Sequence, residues 1–299
     1  MKILLFGSQG QLGWALQRSL APLGELVALH RRSTAYCGDL TQPDALRDTV
    51  RKLAPHIIVN AAAYTAVDQA EGQPDVAHAV NATAPGILAE EAKRLDAWLV
   101  HYSTDYVFNG EGSTAWREAD RPAPLNVYGQ SKLQGEQAIQ AVGCKHLILR
   151  SSWLFSARGK NFATTILRLA RECGNLTIVD DQIGAPTSTD LLADVTSHAI
   201  THLQQHPDHG GIYHVAAAGE TSWYGYARYL LQHAHTKGPP TNAGPDAICP
   251  VHSAGYPTRA RRPHNSRLDT SLFTDTFGLY LPRWQTGVER LVDELACYD

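Results

Sequence analysis

The chain has 299 residues, enough for one enlarged domain or two modest ones, and a formal net charge of −3 at pH 7. That charge gives no electrostatic basis for binding nucleic acid or an anionic membrane, and no apolar run approaches the ~20 residues of a membrane span. We expect no signal peptide, because the N-terminus is an apolar strand pattern with one lysine and no small residues of a cleavage site. No two of the five cysteines form a C-x-x-C pair, so we expect a reducing, cytoplasmic location without disulfides or a zinc site. These cysteines are Cys37, Cys144, Cys173, Cys249 and Cys297.

The N-terminal segment carries a glycine pattern directly after an apolar run. Residues 3–6 predict a buried strand, and Gly7, Gly10 and Gly13 then precede a helical pattern over residues 14–20. Gly7 permits a tight turn, Gly10 lets the backbone approach a pyrophosphate, and Gly13 lets the helix pack closely on the strand. The pattern predicts a dinucleotide site at the helix N-terminus, and a plain strand–turn–helix corner is the alternative.

Strands and helices alternate through the first half of the chain. Apolar runs predict strands at residues 26–29, 56–61, 98–103 and 146–151, and helical patterns lie at residues 44–53, 75–95 and 126–142. This alternation predicts an α/β fold, a Rossmann-type doubly wound parallel sheet with helices on both faces. Ligands of such sheets bind at the carboxyl ends of the strands, which selects residues 7–13, 61–65 and 103–105 as one wall of a site.

The pattern loosens after about residue 151, with shorter predicted strands at residues 176–179 and 212–215. We expect residues 1–150 to form an NAD(P)-binding domain. Residues 151–299 would form mainly a smaller substrate-binding lobe, with room for later segments to return to the first domain. His198 and His202 stand four residues apart on a predicted helix, but such pairs are usually solvated, and we expect no bound metal.

Basic residues follow the second predicted strand, where many dinucleotide-binding folds carry an acid for the ribose 2′-OH. The order here is His30-Arg31-Arg32-Ser33. An acid would repel a 2′-phosphate, whereas two guanidinium groups and a serine would bind one. The segment predicts a preference for NADPH, although NADH is also compatible with the fold, and a solvated surface turn is the alternative.

The polar segment Ser103-Thr104-Asp105 ends the apolar strand predicted at residues 98–103. The Thr104 hydroxyl is suited to hydrogen-bond a substrate carbonyl. A turn or helix cap is the usual role of such residues and is the alternative.

Tyr128 and Lys132 stand at positions i and i+4 of a predicted helix and therefore share one face. A free phenol keeps its proton to pH ~10, and a nearby ammonium group would lower that pKa. We expect Lys132 to bring the phenol pKa close to 7, which makes Tyr128 a proton donor for a reaction that forms a hydroxyl. A solvated surface pair is the alternative, and the glycine loop argues against it.

Four arginines cluster in residues 259–267 of an otherwise slightly acidic chain. Because like charges repel, the cluster predicts an anionic ligand such as a diphosphate, bound by Arg261 and Arg262 with Asn265 nearby. Trp153 would pack against the sugar or the nucleotide. Ion pairs with the protein's own carboxylates are the alternative.

These motifs together resemble the dTDP-4-dehydrorhamnose reductase family of the extended short-chain dehydrogenase/reductase superfamily. The resemblance runs nearly end to end and includes NAAAYTAV (residues 60–67), HYSTDYVF (101–108), PLNVYGQSK (124–132), DQIGAPT (181–187) and ARRPHNSRL (260–268). It implies NADPH-dependent reduction of the C4 ketone of dTDP-4-dehydro-β-L-rhamnose to dTDP-L-rhamnose, a precursor of bacterial surface polysaccharides.

The resemblance also implies a role for individual residues. Tyr128 would supply the proton, Lys132 would hold the nicotinamide ribose, and Thr104 with Asp105 would contact the sugar. The cofactor would be bound at the pyrophosphate, adenine and nicotinamide by further residues: Gly10, Gln11, Leu12, Asp39, Leu40, Ala62, Ala63 and Thr65.

Some members of this family resemble magnesium-linked dimers. Ala15 stands where one of the family's metal-binding carboxylates falls, so we expect no magnesium here, although Asp190, Asp293 and Glu294 are present. A homodimer is compatible with the sequence.

Three other functions stay open. They are another nucleotide-sugar 4-ketoreductase, an epimerase or dehydratase, and a non-catalytic NADP-binding subunit similar to the regulatory subunit of eukaryotic methionine adenosyltransferase. A dehydratase needs an acid/base pair beside the threonine, and Tyr106 stands where its glutamate would be.

Overall fold

The computed structural model describes residues 1–237 and 241–296, and Cys297 lies outside the described residues. Within these ranges the strands, β1 to β12, are Lys2–Phe6, Glu25–Leu29, Ile57–Asn60, Trp98–Thr104, Lys145–Ser151, Leu154–Phe155, Leu176–Val179, Ile183–Gly184, Thr187–Ser188, Gly211–His214, Thr221–Ser222 and Ile248–Val251. The α-helices, α1 to α11, are Gln11–Leu20, Pro43–Leu53, Val67–Ala70, Pro74–His78, Ala84–Arg94, Val127–Val142, Phe162–Glu172, Thr189–Gln205, Trp223–Lys237, Ser271–Phe277 and Trp284–Ala296.

The central sheet has six strands in the order β10-β5-β4-β3-β1-β2, and every neighbouring pair is parallel. From β1 the chain moves outward to β2 and then crosses back to β3 on the other side of β1. The carboxyl ends of β1 and β3 therefore flank the point where the strand order reverses, which is where ligands bind in such sheets. The predicted α/β, doubly wound parallel sheet is confirmed.

Helices cover both faces of this sheet because its strands alternate between two apolar cores. Ile3 and Leu5 pack on the side of α1, α8 and α10, whereas Leu4 and Phe6 pack on the side of α2, α5 and α6. A side-chain period of two along each strand produces this division. The sheet is thereby buried on both faces, and only its strand ends are free to form a site.

The helical pattern predicted over residues 75–95 is interrupted. Between α4 and α5 the segment Ala79–Thr83 forms a π-helical turn, which places Asn81 in the interior. The Asn81 side chain accepts from the backbone N of Tyr64 at 2.8 Å and donates to Ser131 Oγ at 3.0 Å. This turn thus fastens the segment after β3 to α6.

The second half of the chain contributes to two bodies of structure. Strand β10 pairs with β5 at the edge of the main sheet, and α8 and α10 pack on that sheet, so the strand predicted at residues 212–215 lies in the first body. Helices α7, α9 and α11 enclose a separate core with β7 and β12. In the described ranges, the cysteines Cys37, Cys144, Cys173 and Cys249 are free, and no helix is long and apolar enough to cross a membrane.

Candidate active site

The glycine loop between β1 and α1 leaves no room for side chains at two positions. Gly7 has a φ of +85°, and a Cβ there would lie 2.7 Å from the backbone N of Ala62. A Cβ on Gly13 would lie 2.0 Å from the carbonyl oxygen of Gly7, so α1 can pack on this turn only because residue 13 is a glycine. Gly10 precedes the first turn of α1, whose free N–H groups can bind phosphate at the reversal of strand order.

The first turn of α1 also contacts the second half of the chain. Gln11 Oε1 accepts from Asn161 Nδ2 at 2.9 Å and from Ser156 Oγ at 3.1 Å. Leu12 is buried in the core, so only its backbone can face a ligand. The structure therefore places Gln11 and Leu12, two of the predicted cofactor residues, at the glycine loop.

A mixed group of charges follows β2. Arg31 Nε donates to Asp39 Oδ2 at 3.2 Å, so the predicted cationic turn has a carboxylate beside it. Burial opposes ionisation of Asp39, yet hydrogen bonds from Thr41 and Arg31 lower its pKa. Within residues 1–237 and 241–296, Arg32 forms no ion pair. Residue 30 is a histidine, as expected, but Asp39 pairs with one of the two arginines of the predicted 2′-phosphate site, Arg31.

The residues after β3 form the next part of the wall. Ala62 and Ala63 are half-buried, and Thr65 is exposed. The backbone N of Ala62 donates to Asn60 Oδ1 at 3.2 Å, which fixes this segment beside Gly7. Leu40, the other predicted adenine neighbour besides Asp39, is buried in the core below β2.

The predicted acid and its lysine lie on α6. Asn126 caps this helix by accepting from the backbone N of Gly129 at 2.8 Å, and Tyr128 follows in the first turn. Lys132 is 2% exposed, and its Nζ donates to the carbonyl oxygen of Tyr102 at 2.5 Å and lies 3.1 Å from His101 Nε2. The Nζ atom of Lys132 is thus held by β4 beneath the site.

The expected depression of the phenol pKa is not found. Desolvation raises the pKa of Tyr128 to about 12, against a hydrogen bond from Thr104 that lowers it. Desolvation lowers the pKa of Lys132 to about 8, with the charge of Glu136 acting in the opposite direction. The physical reason is that both groups lie out of water, which penalises the charged form of each, and that Lys132 makes its contacts with β4.

Thr104 and Asp105 end β4 beside the phenol. Thr104 Oγ1 donates to Asp105 Oδ1 at 3.2 Å and accepts from the backbone N of Tyr106, so the residue is both a cap and a neighbour of Tyr128. Asp105 is buried, and its Oδ2 has no hydrogen-bond partner among the described residues. Desolvation raises the pKa of Asp105 to about 7, although Ser266 and Thr104 donate to it.

A cavity of about 1080 Å³ lies between the 109–112 loop, α9 and the segment 252–264. Trp223 lines it, whereas Trp153 does not. The Trp153 ring instead stacks on Trp223 with centroids 3.6 Å apart, and its backbone has a φ of +49°. Trp153 is thus in the strained left-handed region, and Gly184 leaves room for its ring, since a Cβ there would lie 2.7 Å from Trp153 Cε2.

Two of the four arginines in the basic segment 259–267 are paired with the protein's own carboxylates. Arg262 forms a two-bond ion pair with Asp68, at 2.7 and 3.2 Å, and Arg267 pairs with Glu220. The inference that only an anionic ligand relieves the repulsion is therefore wrong. Arg261 and Arg262 nevertheless line the cavity.

Asn265 is buried away from the cavity. Its Nδ2 donates to the carbonyl oxygen of Thr114 at 2.8 Å, and its Oδ1 accepts from the backbone N of Arg267. This side chain therefore holds the basic segment in place. It does not line the cavity, so the structure does not bring Asn265 to the predicted substrate site.

The carboxylates considered for magnesium are separated. Asp190 faces Arg18 at 3.7 Å, Asp293 faces Lys237 at 3.3 Å, and Ala15 is buried between helices. Within the described residues, no group of three or more His, Cys, Asp or Glu side chains could hold a metal ion.

Four residues of the site were not anticipated: Asn60, Asn81, His101 and Trp223. Asn60 and His101 are polar residues that directly follow apolar runs, Ile57–Val59 in the strand IIVN and Trp98–Val100 in the strand WLVHYST. Because a buried polar side chain needs a partner, these positions were a detectable signal. Asn81 and Trp223 lie on helices, where no such contrast marks them.

Comparison with known proteins identifies the family of the chain. The family model described as "RmlD substrate binding domain" matches residues 1–297. The dTDP-4-dehydrorhamnose reductase of Escherichia coli (strain K12) is 52% identical over 99% of this chain and 98% of its own length. The chain belongs to the dTDP-4-dehydrorhamnose reductase family.

Solved structures of the family have the same fold over the whole chain. The dTDP-4-dehydrorhamnose reductase of Bacillus anthracis str. Ames, in complex with NADP, superposes with a TM-score of 0.87 at 33% identity and covers 98% of this chain and 99% of its own. The ortholog from Clostridium acetobutylicum superposes with a TM-score of 0.89 at 32% identity, over 99% of both chains. The family likeness therefore extends over the sheet and the second core alike.

Proposed function

We propose that this protein reduces the C4 ketone of dTDP-4-dehydro-β-L-rhamnose to dTDP-L-rhamnose with NADPH. The observation that carries the proposal is the placement of Thr104, Tyr128 and Lys132. Thr104 ends β4 and contacts Tyr128 of α6, and Lys132 is held by β4, in a chain 52% identical to the Escherichia coli reductase. The sugar ketone would lie against Tyr128, between the glycine loop and the cavity.

The chain's own residues supply the proton and its control. With a pKa of about 12, the Tyr128 phenol stays protonated at neutral pH, and it can donate to the far more basic alkoxide that forms at C4. Thr104 holds the phenol oxygen in position. Lys132, anchored by Tyr102, would hydrogen-bond the nicotinamide ribose. When bound, the dihydronicotinamide supplies the hydride.

The nucleotide end of the cofactor fits the glycine loop. Because a Cβ at Gly7 or Gly13 would lie within 2.7 Å of a backbone atom, only glycine lets α1 and the segment after β3 pack on this turn, and the free N–H groups of α1 can then face a pyrophosphate. Arg32 has no ion pair within the described residues and would bind a 2′-phosphate, and Arg31 would divide its hydrogen bonds between Asp39 and that phosphate. We therefore propose NADPH as the preferred cofactor, with NADH able to occupy the same site.

The substrate's nucleotide diphosphate would occupy the cavity. Its volume of about 1080 Å³ suits a ligand the size of a nucleotide sugar. Arg261 and Arg262 would face the diphosphate, Asp105 and Trp153 the sugar. In this assignment residues 1–150 bind the cofactor, and residues 151–299 bind mainly the substrate. The exceptions in the second half are β10, which pairs with the sheet, and α8 and α10, which pack on it.

The remaining proposals concern partners and location. We propose that the protein acts in the cytoplasm on a dTDP-sugar, without nucleic acid or a membrane as partner. A homodimer is compatible with this function. We propose no magnesium requirement, because Ala15 stands where one of the family's metal-binding carboxylates falls.

A panel of nucleotide ketosugars tests the assignment. With NADPH, we expect the dTDP-4-ketosugar to be reduced with a kcat/KM at least tenfold above that of UDP- or GDP-linked 4-ketosugars. Equal rates would indicate a different 4-ketoreductase. Conversion of dTDP-glucose without net NADPH consumption would indicate a dehydratase or epimerase, and NADPH binding without any turnover would indicate a non-catalytic subunit.

A further inference from the structure

Two buried polar side chains connect the cofactor wall to Lys132. Asn60 ends β3 and His101 lies beside it on β4, in register, and each is 1% exposed. Asn60 Nδ2 lies 3.2 Å from His101 Nδ1, and His101 Nε2 lies 3.1 Å from Lys132 Nζ. At the other end, Asn60 Oδ1 accepts from the backbone N of Ala62. The four groups form one continuous chain of contacts.

The protons of this chain can be assigned from its ends. Because Asn60 Oδ1 accepts from Ala62, its amide nitrogen faces His101, and His101 Nδ1 must accept. A neutral imidazole carries one proton, which is then on Nε2 and points at Lys132. An ammonium group has donors only, so this contact is a hydrogen bond only when Lys132 is a neutral amine.

We propose that His101, oriented by Asn60, is a positioning residue for Lys132 that favours its neutral amine and so sets the pH range in which the enzyme works. This role deepens the proposed function and rests on it. A neutral amine satisfies every contact, because it donates to Tyr102 and accepts from His101. Protonation of Lys132 would require His101 to move its proton to Nδ1, against the amide of Asn60.

The other groups around Lys132 do not substitute for this chain. On α6, Glu136 favours the ammonium form, but its carboxylate is already bound by Arg150 of β5 at 2.6 and 2.9 Å. From β4 only His101 and the Tyr102 carbonyl reach Nζ. Burial and the charge of Lys132 also lower the pKa of His101 well below its ordinary value, which is consistent with an uncharged ring.

Nuclear magnetic resonance of the imidazole nitrogens tests the assignment without reference to activity. In ¹⁵N-labelled protein at pH 9, we expect His101, identified by comparison with His101→Gln, to be the neutral Nε2–H tautomer. In Asn60→Asp, whose carboxylate accepts from Nδ1–H, the ring should switch to the Nδ1–H tautomer. An Nδ1–H tautomer or an imidazolium ring in the unaltered protein would overturn the proposal, whether or not the protein reduces a dTDP-sugar.

The pH profile of ketosugar reduction tests the consequence. In Asn60→Asp the freed lone pair of His101 Nε2 can accept from the ammonium, and in His101→Gln the amide oxygen can do so. The limb of kcat/KM that titrates near the Lys132 pKa of about 8 should therefore move up by about one to two pH units. His146→Gln, a control at a half-buried histidine of β5, should leave this limb in place. A limb that stays unmoved in either folded variant would contradict the role of His101.

Discussion

Burial displaces the pKa of four titratable groups at the site toward the uncharged form. It raises the pKa of Tyr128 and Asp105 and lowers that of Lys132 and His101. Desolvation is the largest cause in each case, because removal from water penalises the charged form of any group. The site therefore holds a protonated phenol at neutral pH, which is the form that a carbonyl reduction consumes.

Replacement of Tyr128 by phenylalanine tests the proton donor. The ring and its edge contact with Tyr106 are kept, but the proton is lost, so kcat should fall at least ~100-fold. NADPH affinity, measured by quenching of nicotinamide fluorescence, should change less than twofold. A Tyr128→Phe enzyme that keeps more than a tenth of the original kcat would show that another group donates the proton.

Asp105→Asn tests the cost of a buried carboxylate. The folded pKa of about 7 lies above the ordinary value of 3.8, so the folded state loses stability as pH rises from about 4 to about 7 and stays destabilised above that. Because one pKa unit corresponds to 1.36 kcal/mol, Asp105→Asn should be the more stable protein at pH 8, by up to about 4 kcal/mol. Near pH 4 the two proteins should be alike.

Denaturant unfolding at both pH values measures this difference. A variant that is less stable than the unaltered protein at pH 8 would mean that Asp105 is ionised and well solvated in the folded state.

At the scale of elements, the ends of β1, β2 and β3 and the start of α6 position the site. The π-helical turn at Ala79–Thr83 joins two of these parts, because Asn81 bonds both Tyr64 and Ser131. Helix α6 also packs unusually close to this turn, since a Cβ on Gly135 would lie 2.1 Å from the Asn81 carbonyl oxygen. Changes in this contact should therefore move Tyr128 relative to the cofactor wall.

The turn after β2 should determine cofactor choice, and its two arginines should differ. Arg32 has no competing carboxylate among the described residues, whereas Arg31 is paired with Asp39. Each charge-assisted hydrogen bond is worth about 1.5–3 kcal/mol, so Arg32→Ala should raise the KM for NADPH about 10- to 100-fold. Arg31→Ala should raise it less, and neither should alter NADH kinetics much.

The preference should weaken as salt rises, because exposed charges are screened. Equal kcat/KM for NADPH and NADH in the unaltered enzyme would sink this proposal.

The basic segment 259–267 offers a matched pair of variants. Arg261 lines the cavity, whereas Arg267 pairs with Glu220 and is not part of the lining. If the cavity binds the diphosphate, Arg261→Ala should raise the substrate KM about tenfold and lower kcat, because binding at the remote end orients the ketone. Arg267→Ala should affect kinetics much less, and neither should change NADPH affinity.

Competition by dTDP provides the second readout. It should inhibit the unaltered enzyme and inhibit the Arg261→Ala enzyme more weakly. No inhibition by millimolar dTDP in either enzyme would place the nucleotide elsewhere.

At the scale of the whole molecule, the sequence predicts the first half well and the second half less well. Strands β1 to β5 lie within about two residues of their predicted bounds, because apolar runs in a parallel sheet are buried on both faces. Strand β10 has a similar pattern, yet its partner β5 lies some 60 residues earlier in the chain, and local patterns do not identify such a partner.

The same limit explains the errors at the site. The ion pairs of Arg262 with Asp68 and of Arg31 with Asp39 depend on folding, and the burial that displaces the pKa values of Tyr128 and Lys132 does too. Which residues meet at the strand ends was predictable from the parallel-sheet rule. The charges that surround them were not.

The most direct test of the central claim follows the hydride and the proton together. With NADPH deuterated at nicotinamide C4 and dTDP-4-dehydro-β-L-rhamnose, the purified protein should form dTDP-L-rhamnose that carries deuterium at C4, one per NADPH oxidised. The Tyr128→Phe variant should bind both ligands and form almost none. Product without deuterium at C4, or no product while both ligands bind the unaltered protein, would contradict the proposed reduction.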